Sequence, residues 1–303
     1  MQISRPGLAP AIVACALVLT GCAAAGGEQP PAGTQSAGTQ SVGGVPESAA
    51  PAGLRVDRSY WYAGFKVTLG AARLVEPGPV VVIEAAFQNL GDDDAAPTEE
   101  LLITSGAESY DEPSSEHAEL PEVPALRSRT GAIAIEVDER FRLADAVLTV
   151  GETGSRQAVV PLSRADGLIS LEPRPFTVAG KVYPDGRKDV HMTLTGGEVR
   201  SDDPANHDQA PAGQEFVRLK FTATNTGPAG MTYVFDRDLT LVLPDESRAG
   251  HAGACSRAQV HVESHATVKP DGPACFAVPA PATGAYRLIW GDQERGSLRF
   301  SIG

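Results

Sequence analysis

The chain is poor in the residues and motifs that most often carry enzymatic chemistry. Its 303 residues include four cysteines and six histidines, and aromatic residues make up 6% of the total. It lacks a Gly-x-Ser-x-Gly elbow, a His-Glu-x-x-His helix motif, a Walker loop, a Gly-x-Gly-x-x-Gly turn and a Cys-x-x-Cys pair. We therefore expect a protein that is not an enzyme and has no cofactor, although an acid–base site needs no local motif.

Positive charge is also scarce. Lysine and arginine contribute 25 residues against 38 aspartates and glutamates, which leaves a formal net charge of −13. Nucleic acids and anionic lipid headgroups bind basic surfaces. The charge balance therefore argues against nucleic acid as a partner.

The apolar run near the start is too short to span a membrane. It extends from Ala11 to Leu19 after a segment that contains Arg5, whereas a spanning helix needs about 18 apolar residues. The run ends in Leu19-Thr20-Gly21-Cys22, which resembles the lipobox of bacterial lipoproteins. That resemblance implies a signal peptide over residues 1–21, lipidation of Cys22, and anchoring at the extracytoplasmic face of the cell membrane. An ordinary secretory signal with a chance cysteine is the alternative.

Residues 22–52 are rich in Gly, Ser, Gln, Thr, Pro and Ala, and contain the tandem repeats Ala32–Ser36 and Ala37–Ser41. Such a composition cannot bury a core, so we interpret this stretch as a disordered linker. A coil of this length spans about 30 Å. It would hold the folded part clear of the membrane.

The remainder of the chain has the period-two hydrophobic alternation of β-strands. Between Val217 and Thr224, the apolar residues Val217, Leu219, Phe221 and Ala223 alternate with polar ones. We expect the polar face of this strand to be solvated, and we expect an all-β protein.

An internal repeat predicts two copies of one domain. The strand that runs into Asn89-Leu90-Gly91 matches the strand that runs into Asn225-Thr226-Gly227, at an offset of 136 residues. Upstream, Val67–Leu69 matches Met192–Leu194 at an offset of 125. The second copy therefore has about 11 additional residues between these strands, the acidic segment around Ser201–Gln214. In both turns we expect glycine to supply a positive φ.

The predicted architecture is two tandem immunoglobulin-like antiparallel β-sandwiches, over residues 53–171 and 172–303. The second copy contains two short motifs, Leu239–Leu243 followed by Pro244-Asp245, and Pro270-Asp271-Gly272 before Phe276–Pro279. These motifs resemble the extracytoplasmic immunoglobulin-like domains of Gram-positive, in particular actinobacterial, lipoproteins. That family has no agreed activity and includes a secreted mycobacterial immunogen. The first copy lacks the cysteine pair and a clear Phe-x-Val-Pro.

Two sets of residues could form specific bonds. Cys255 and Cys275 are the two cysteines outside the predicted signal peptide and lipidation site. Because the predicted compartment is oxidising, we predict that they form a disulfide. On a strand, His261, Glu263 and His265 would share one face, and with His251 or His207 could bind zinc or copper. His261 and His265 would lie about 13 Å apart on such a strand, so only a neighbouring pair could hold one ion. A polar, solvent-facing edge is the alternative.

The acidic clusters and the aromatic residues allow further expectations. Calcium could bind to either of two acidic clusters, Asp92–Asp94 or Asp202, Asp203 and Asp208. Neither cluster has an EF-hand pattern, so we interpret both as solvated turns. Residues 108–122 are expected to form an exposed loop.

Trp290 is expected in the core. The run Tyr60-Trp61-Tyr62 should either bind a ligand or partner, or pack on the other domain.

These observations predict a non-enzymatic, lipid-anchored cell-surface protein that acts as a binding or structural module of the envelope. Its partner would be an unidentified protein or envelope ligand, besides the membrane reached through Cys22. The alternatives are an extracytoplasmic zinc- or copper-binding lipoprotein, and a hydrolase with a site assembled between the domains.

Overall fold

The computed structural model describes residues 53–303, with the exception of residues 77, 99, 185–186, 253–258, 271 and 293–295. The predicted signal peptide, the lipidation site Cys22, the linker and Cys255 lie outside the described residues. Within the described part of the chain, no helix has the length and apolar character needed to cross a membrane.

Eight strands form the N-terminal half, residues 53–171. They are β1 (Leu54–Tyr62), β2 (Phe65–Val75), β3 (Val80–Asn89), β4 (Leu101–Ser105), β5 (Glu108–Tyr110), β6 (Ser128–Glu136), β7 (Ala146–Val150) and β8 (Ala158–Pro161), with a 3-10 turn at Leu143–Asp145. One antiparallel sheet has the order β1-β2-β3-β6 and the other the order β5-β4-β7-β8.

The C-terminal half, residues 172–303, repeats this plan with additional strands. They are β9 (Arg174–Phe176), β10 (Gly180–Val182), β11 (Val190–Arg200), β12 (Asp202–Asp203), β13 (Asp208–Gln209), β14 (Gln214–Asn225), β15 (Met231–Val234), β16 (Leu239–Val242), β17 (Arg248–Gly250), β18 (Gln259–Val262), β19 (Ala266–Val268), β20 (Ala274–Pro279), β21 (Gly284–Trp290) and β22 (Leu298–Ile302), with the four-residue helix α1 (Phe235–Asp238). The larger sheet has the order β10-β11-β14-β19, where β9 also pairs with β11 and β20 with β14. The facing sheet has the order β17-β16-β21-β22, and β12–β13 and β15–β18 form two-stranded sheets. The all-β, antiparallel fold class is therefore confirmed.

Each half has its own hydrophobic core between its two sheets. In the N-terminal half, Ile83 of β3 and Leu148 of β7 belong to one buried cluster. In the C-terminal half, Phe221 of β14 and Trp290 of β21 belong to another. Trp290 is 3% exposed and packs edge-on against Tyr233, which confirms its predicted place in the core.

The two halves share the same strand register. Val67 of β2 lies opposite Phe87 of β3, and Met192 of β11 lies opposite Ala223 of β14. These pairs are related by the two offsets found in the sequence. The internal repeat is therefore visible in the hydrogen-bonded sheets as well as in the residue pattern.

The asparagine that ends β3 makes a set of hydrogen bonds at the end of its strand. Asn89 is fully buried, and its side-chain oxygen accepts a hydrogen bond from the backbone N–H of Gly91 at 2.8 Å. Its amide donates to the carbonyl oxygens of Asp93 and Val123 at 2.8 and 2.9 Å. Through these bonds Asn89 connects the end of β3 to the turn and to the segment before β6.

Asn225 makes the equivalent bonds in the second half. It accepts from the N–H of Gly227 at 2.9 Å and donates to the carbonyl oxygens of Ala229 and Val262 at 2.7 and 3.3 Å. Neither Gly91 nor Gly227 has a positive φ, so that expectation was wrong. Space is the reason for glycine here: a methyl group at Gly227 would come within 2.7 Å of Asp189.

Residues 108–122 do not form a free loop. Glu108–Tyr110 is strand β5, and further along Glu119 and Ala132 of β6 exchange two backbone hydrogen bonds of 2.8 and 2.9 Å. The segment therefore covers the outer edge of β6. Its acidic side chains are exposed or half-buried, which explains why its composition suggests a loop.

Candidate functional site

The inserted segment Ser201–Gln214 joins the two halves, which belong to one compact unit. It folds into the hairpin β12–β13 between β11 and β14. Asp202 accepts a hydrogen bond from the backbone N–H of Gly64 at 2.9 Å, and Gln209 accepts one from Ala63 at 2.9 Å. We call this set of contacts the junction.

The junction also includes backbone bonds on its other side. The N–H of Arg156 donates to the carbonyl oxygen of Ala210, and that of Ala212 donates to Gly154, both at 2.8 Å. The amide of Gln209 donates to the carbonyl oxygen of Arg156 at 2.8 Å. The hairpin therefore contacts both the β1–β2 turn and the β7–β8 connection.

Two aspartates of the hairpin are buried, so the interpretation of Asp202 and Asp203 as solvated turn residues was wrong. Asp202 is 1% exposed and receives two hydrogen bonds from Arg200, from Nε at 2.8 Å and from Nη2 at 3.1 Å. The carboxylate of Asp202 and the guanidinium of Arg200 therefore neutralise each other's charge where water is excluded. The predicted solvated position is confirmed for Asp208 and for Asp92–Asp94, which are exposed.

Asp203 is fully buried and lies 3.5 Å from Arg218, while its other oxygen accepts a hydrogen bond from Asn206 at 2.7 Å. Burial raises the pKa of Asp203, and the positive charge of Arg218 opposes that shift. Burial likewise lowers the pKa of Arg218. The face of β14 that the alternation assigned to solvent is therefore buried at Arg218, where it packs under the hairpin.

His207 occupies a gap between two glycines of the N-terminal half. Its Nδ1 donates to the carbonyl oxygen of Ala63 at 3.1 Å, and its ring lies 5.4 Å from that of Phe65. A methyl group at Gly91 would overlap the carbonyl oxygen of Pro204 and come within 2.7 Å of His207 Nε2. His207 is thus part of the junction, where its ring contacts Ala63 and Phe65.

A crevice of about 490 Å³ lies beside the junction. On one wall Glu215 is 4% exposed and lies 2.8 Å from Nη2 of Arg156 and 2.9 Å from Nη2 of Arg174. The same carboxylate accepts a hydrogen bond from the backbone N–H of Ala282 at 2.8 Å. The crevice is also lined by Arg200 and by the apolar side chains of Ile169 and Pro173. Arg156, Arg174 and Glu215 are far apart in the sequence, so no local signal could have identified them as a group.

The predicted metal-binding strand is not continuous. Strand β18 ends at Val262, and the chain turns at Ser264 and at His265, whose φ is 55°. His261 and Glu263 do lie together, with 3.3 Å between Nε2 and Oε1. The described residues contain no group of three or more His, Cys, Asp or Glu side chains placed to hold a metal ion. The shared strand face expected for His261, Glu263 and His265 was therefore wrong.

The remaining predicted residues lie elsewhere. Cys275 is fully buried beside Ala210 and Phe216; because Cys255 is outside the described residues, the disulfide stays a prediction. Tyr60 and Tyr62 belong to the N-terminal core, and burial raises the pKa of Tyr60. Trp61 points away from that core, with Nζ of Lys66 5.1 Å from the centre of its ring.

The junction begins immediately after this aromatic run. The backbone N–H of Trp61 donates to Ser170 at 2.8 Å, and the next residues, Ala63 and Gly64, contact the hairpin of the C-terminal half. The contact between the halves is thus made beside the aromatic run rather than by an exposed aromatic face.

Comparison with known proteins shows no family for this chain. No protein-family model matches the chain, and no curated protein matches it. A solved structure, a conserved hypothetical protein from Bacillus anthracis, is similar at 10% sequence identity with a TM-score of 0.34, and the match covers 45% of this chain and 100% of that one.

Proposed function

We propose that this protein is a non-enzymatic, lipid-anchored module of the cell envelope, whose two immunoglobulin-like sandwiches act together in binding or as a structural element. The observation that supports this proposal best is the buried contact of Asp202 with Arg200 and Gly64. The bond from Gly64 crosses between the halves, and the ion pair with Arg200 holds its acceptor, Asp202, in position. A module that presents a surface to a partner needs such a fixed arrangement.

The pairing of the buried charges also supports a role other than catalysis. Asp202 is paired with Arg200, and Glu215 with Arg156 and Arg174. Each of these buried carboxylates is held by arginine side chains, Asp202 within the junction and Glu215 in the crevice beside it. Anchoring through Cys22 would place this unit outside the cell, at the end of the linker over residues 22–52.

The experiment that tests the anchored location compares the wild-type chain with Cys22→Ser in a Gram-positive host. We expect labelled palmitate to enter the wild-type protein, which should appear in the membrane fraction, while C22S should be unlabelled and released. Equal labelling and equal partition of the two proteins would overturn the proposed location.

Metal binding is the second candidate, and the contact of His261 with Glu263 favours it. His261 Nδ1 lies 2.9 Å from the hydroxyl oxygen of Thr232, which orients the ring so that Nε2 faces Glu263. Imidazole and carboxylate together suit zinc or copper. A calorimetric titration of the full chain with Zn²⁺ and Cu²⁺, beside His261→Ala and Glu263→Gln, tests it. Binding that both substitutions remove would support the metal function, whereas absence of heat for either ion would overturn it.

A further inference from the structure

We infer that the crevice beside the junction binds an organic carboxylate that carries an apolar group, and that Arg156 and Arg174 hold its carboxylate. This inference names a ligand class for the binding role proposed above and rests on that role. Three independent features of the crevice fit such a ligand: its local charge, an unused hydrogen-bond donor and an exposed apolar residue.

The first feature is the local charge. In a chain of net charge −13, the crevice is lined by three arginines and by the two carboxylates of Glu172 and Glu215. Arg200 is committed to Asp202 through two hydrogen bonds. The two remaining guanidinium groups share the single buried carboxylate of Glu215, while Glu172 is exposed at the rim. A carboxylate ligand would give Arg156 and Arg174 a second buried acceptor beside Glu215.

The second feature is the donor capacity of Arg156. Its Nη2 lies 2.8 Å from Glu215, and its Nε is buried without a hydrogen-bond partner among the described residues. A planar guanidinium presents several N–H donors suited to a two-point contact with a carboxylate. A buried donor without a partner destabilises the free protein, and here the folded chain leaves part of the hydrogen-bonding capacity of Arg156 unused.

The third feature is the exposure of Ile169. Its side chain is 49% exposed and lines the crevice, although two backbone hydrogen bonds of 3.0 and 2.8 Å with Val159 fix its position. Pro173 lies on the same wall. An apolar surface held rigidly beside two guanidinium groups fits a ligand that is apolar at one end and a carboxylate at the other.

The arginines are also held in place before any ligand arrives. Glu215 is fixed by the backbone N–H of Ala282 at 2.8 Å, and Arg174 Nη2 also reaches the carbonyl oxygen of Ala282 at 3.3 Å. Preorganised donors lower the entropic cost of binding. The crevice volume, about 490 Å³, falls within the range typical of small-molecule sites, roughly 300–1,000 Å³.

The test is calorimetric titration of the full-length protein in detergent with four probes. They are the peptide acetyl-Ala-Ala-Leu with a free carboxyl terminus, the same peptide amidated, 4-methylpentanoate and inorganic phosphate. We expect saturable binding of the free-acid peptide or of 4-methylpentanoate, and none of the amide. Tighter binding of the peptide would identify a protein carboxyl terminus as the source of the ligand, and tighter binding of 4-methylpentanoate would identify a free acid.

Charge variants assign the binding to the crevice. Arg156→Gln and Arg174→Gln should each weaken binding by about tenfold, the usual effect of losing one charge-assisted contact. Arg299→Gln, an exposed site on β22 with the same change of charge, is the matched control and should bind as the wild type does.

The inference would be overturned by the absence of saturable binding of any probe to correctly folded protein, as judged by the melting temperature of each variant. Wild-type affinity in both arginine variants, or equal affinity for inorganic phosphate and the apolar acids, would overturn it as well. Labelling of Cys22 with palmitate does not depend on the crevice, so a failed titration leaves the test of anchoring separate.

Discussion

Asp202 in the C-terminal half accepts a hydrogen bond from the backbone N–H of Gly64 in the N-terminal half, at 2.9 Å. The same carboxylate pairs with Arg200, so one buried side chain takes part in the local fold of its hairpin and in the contact between the halves. Loss of this carboxylate should therefore weaken both the hairpin and the contact between the halves.

Asp202→Ala should lower the free energy of unfolding by about 3–5 kcal/mol, because it leaves the buried guanidinium of Arg200 without a counter-charge. Chemical denaturation monitored by circular dichroism measures this change. Asp92→Ala, which removes an exposed carboxylate, is the control and should stay within about 0.5 kcal/mol of the wild type. Equal stability of the two variants would contradict the assignment of Asp202 to a buried ion pair.

Asn89→Ala and Asn225→Ala should each destabilise the half in which they lie. Each asparagine is fully buried and makes three hydrogen bonds. Replacing either asparagine leaves its buried backbone partners unsatisfied, which should lower the free energy of unfolding by about 2 kcal/mol. Thermal unfolding of both variants, with the exposed substitution Gln88→Ala as control, measures the effect. A large loss in one variant and none in the other would show that the two positions are not energetically equivalent.

Gly91→Ala should loosen the junction. The added methyl group would overlap Pro204 and approach His207, and relief of such a clash costs about 2 kcal/mol. Gly78→Ala is the matched control, because its added methyl group meets nothing within 4 Å. Hydrogen exchange at Ala63 and Gly64 should accelerate in G91A and remain unchanged in G78A. Unchanged exchange in both variants would indicate that the junction can adapt to the larger side chain.

The sequence was sufficient to predict the strands and the repeat, since both depend on local alternation and on residues at a fixed offset. It could not predict the junction, because the burial of Asp202 depends on Gly64, which is remote in the chain and becomes a neighbour only after folding. An acidic segment with turn-forming residues looks the same in sequence whether it is solvated or packed against an arginine. At His265 the sequence predicted too much regular structure. The alternating residues suggested a longer strand, but β18 ends at Val262 and the chain turns at Ser264 and His265.

The hydroxyl of Tyr110 should control the titration of Asp138. It donates to Asp138 at 2.7 Å, and this bond, followed by contacts with Arg140, lowers the pKa of the carboxyl. A carboxyl with a lowered pKa in the folded state stabilises it above the unfolded pKa, near 3.8, and that contribution is lost as the pH falls through the folded pKa. In Tyr110→Phe we expect the pKa of Asp138, followed by NMR, to rise toward the ordinary value.

The control for this titration is Asp245, whose pKa is lowered by hydrogen bonds from Ser247 and should be the same in the wild type and in Y110F. An unchanged pKa of Asp138 in Y110F would show that Arg140 alone is responsible for the shift. Loss of the Arg140 contacts in Arg140→Gln should also raise the pKa of Asp138, because both its hydrogen bonds and its charge favour the ionised carboxyl.

The predicted disulfide between Cys255 and Cys275 should stabilise the C-terminal half. A bond closing a loop of about 20 residues contributes roughly 3 kcal/mol by restricting the unfolded chain, and Cys275 lies against Ala210, close to the junction. Peptide mapping without reduction should therefore yield a cross-linked peptide that contains both cysteines. Reduction should lower the free energy of unfolding, whereas the same treatment of Cys255→Ser should have no further effect. Alkylation of both cysteines in the folded, unreduced protein would contradict the bond.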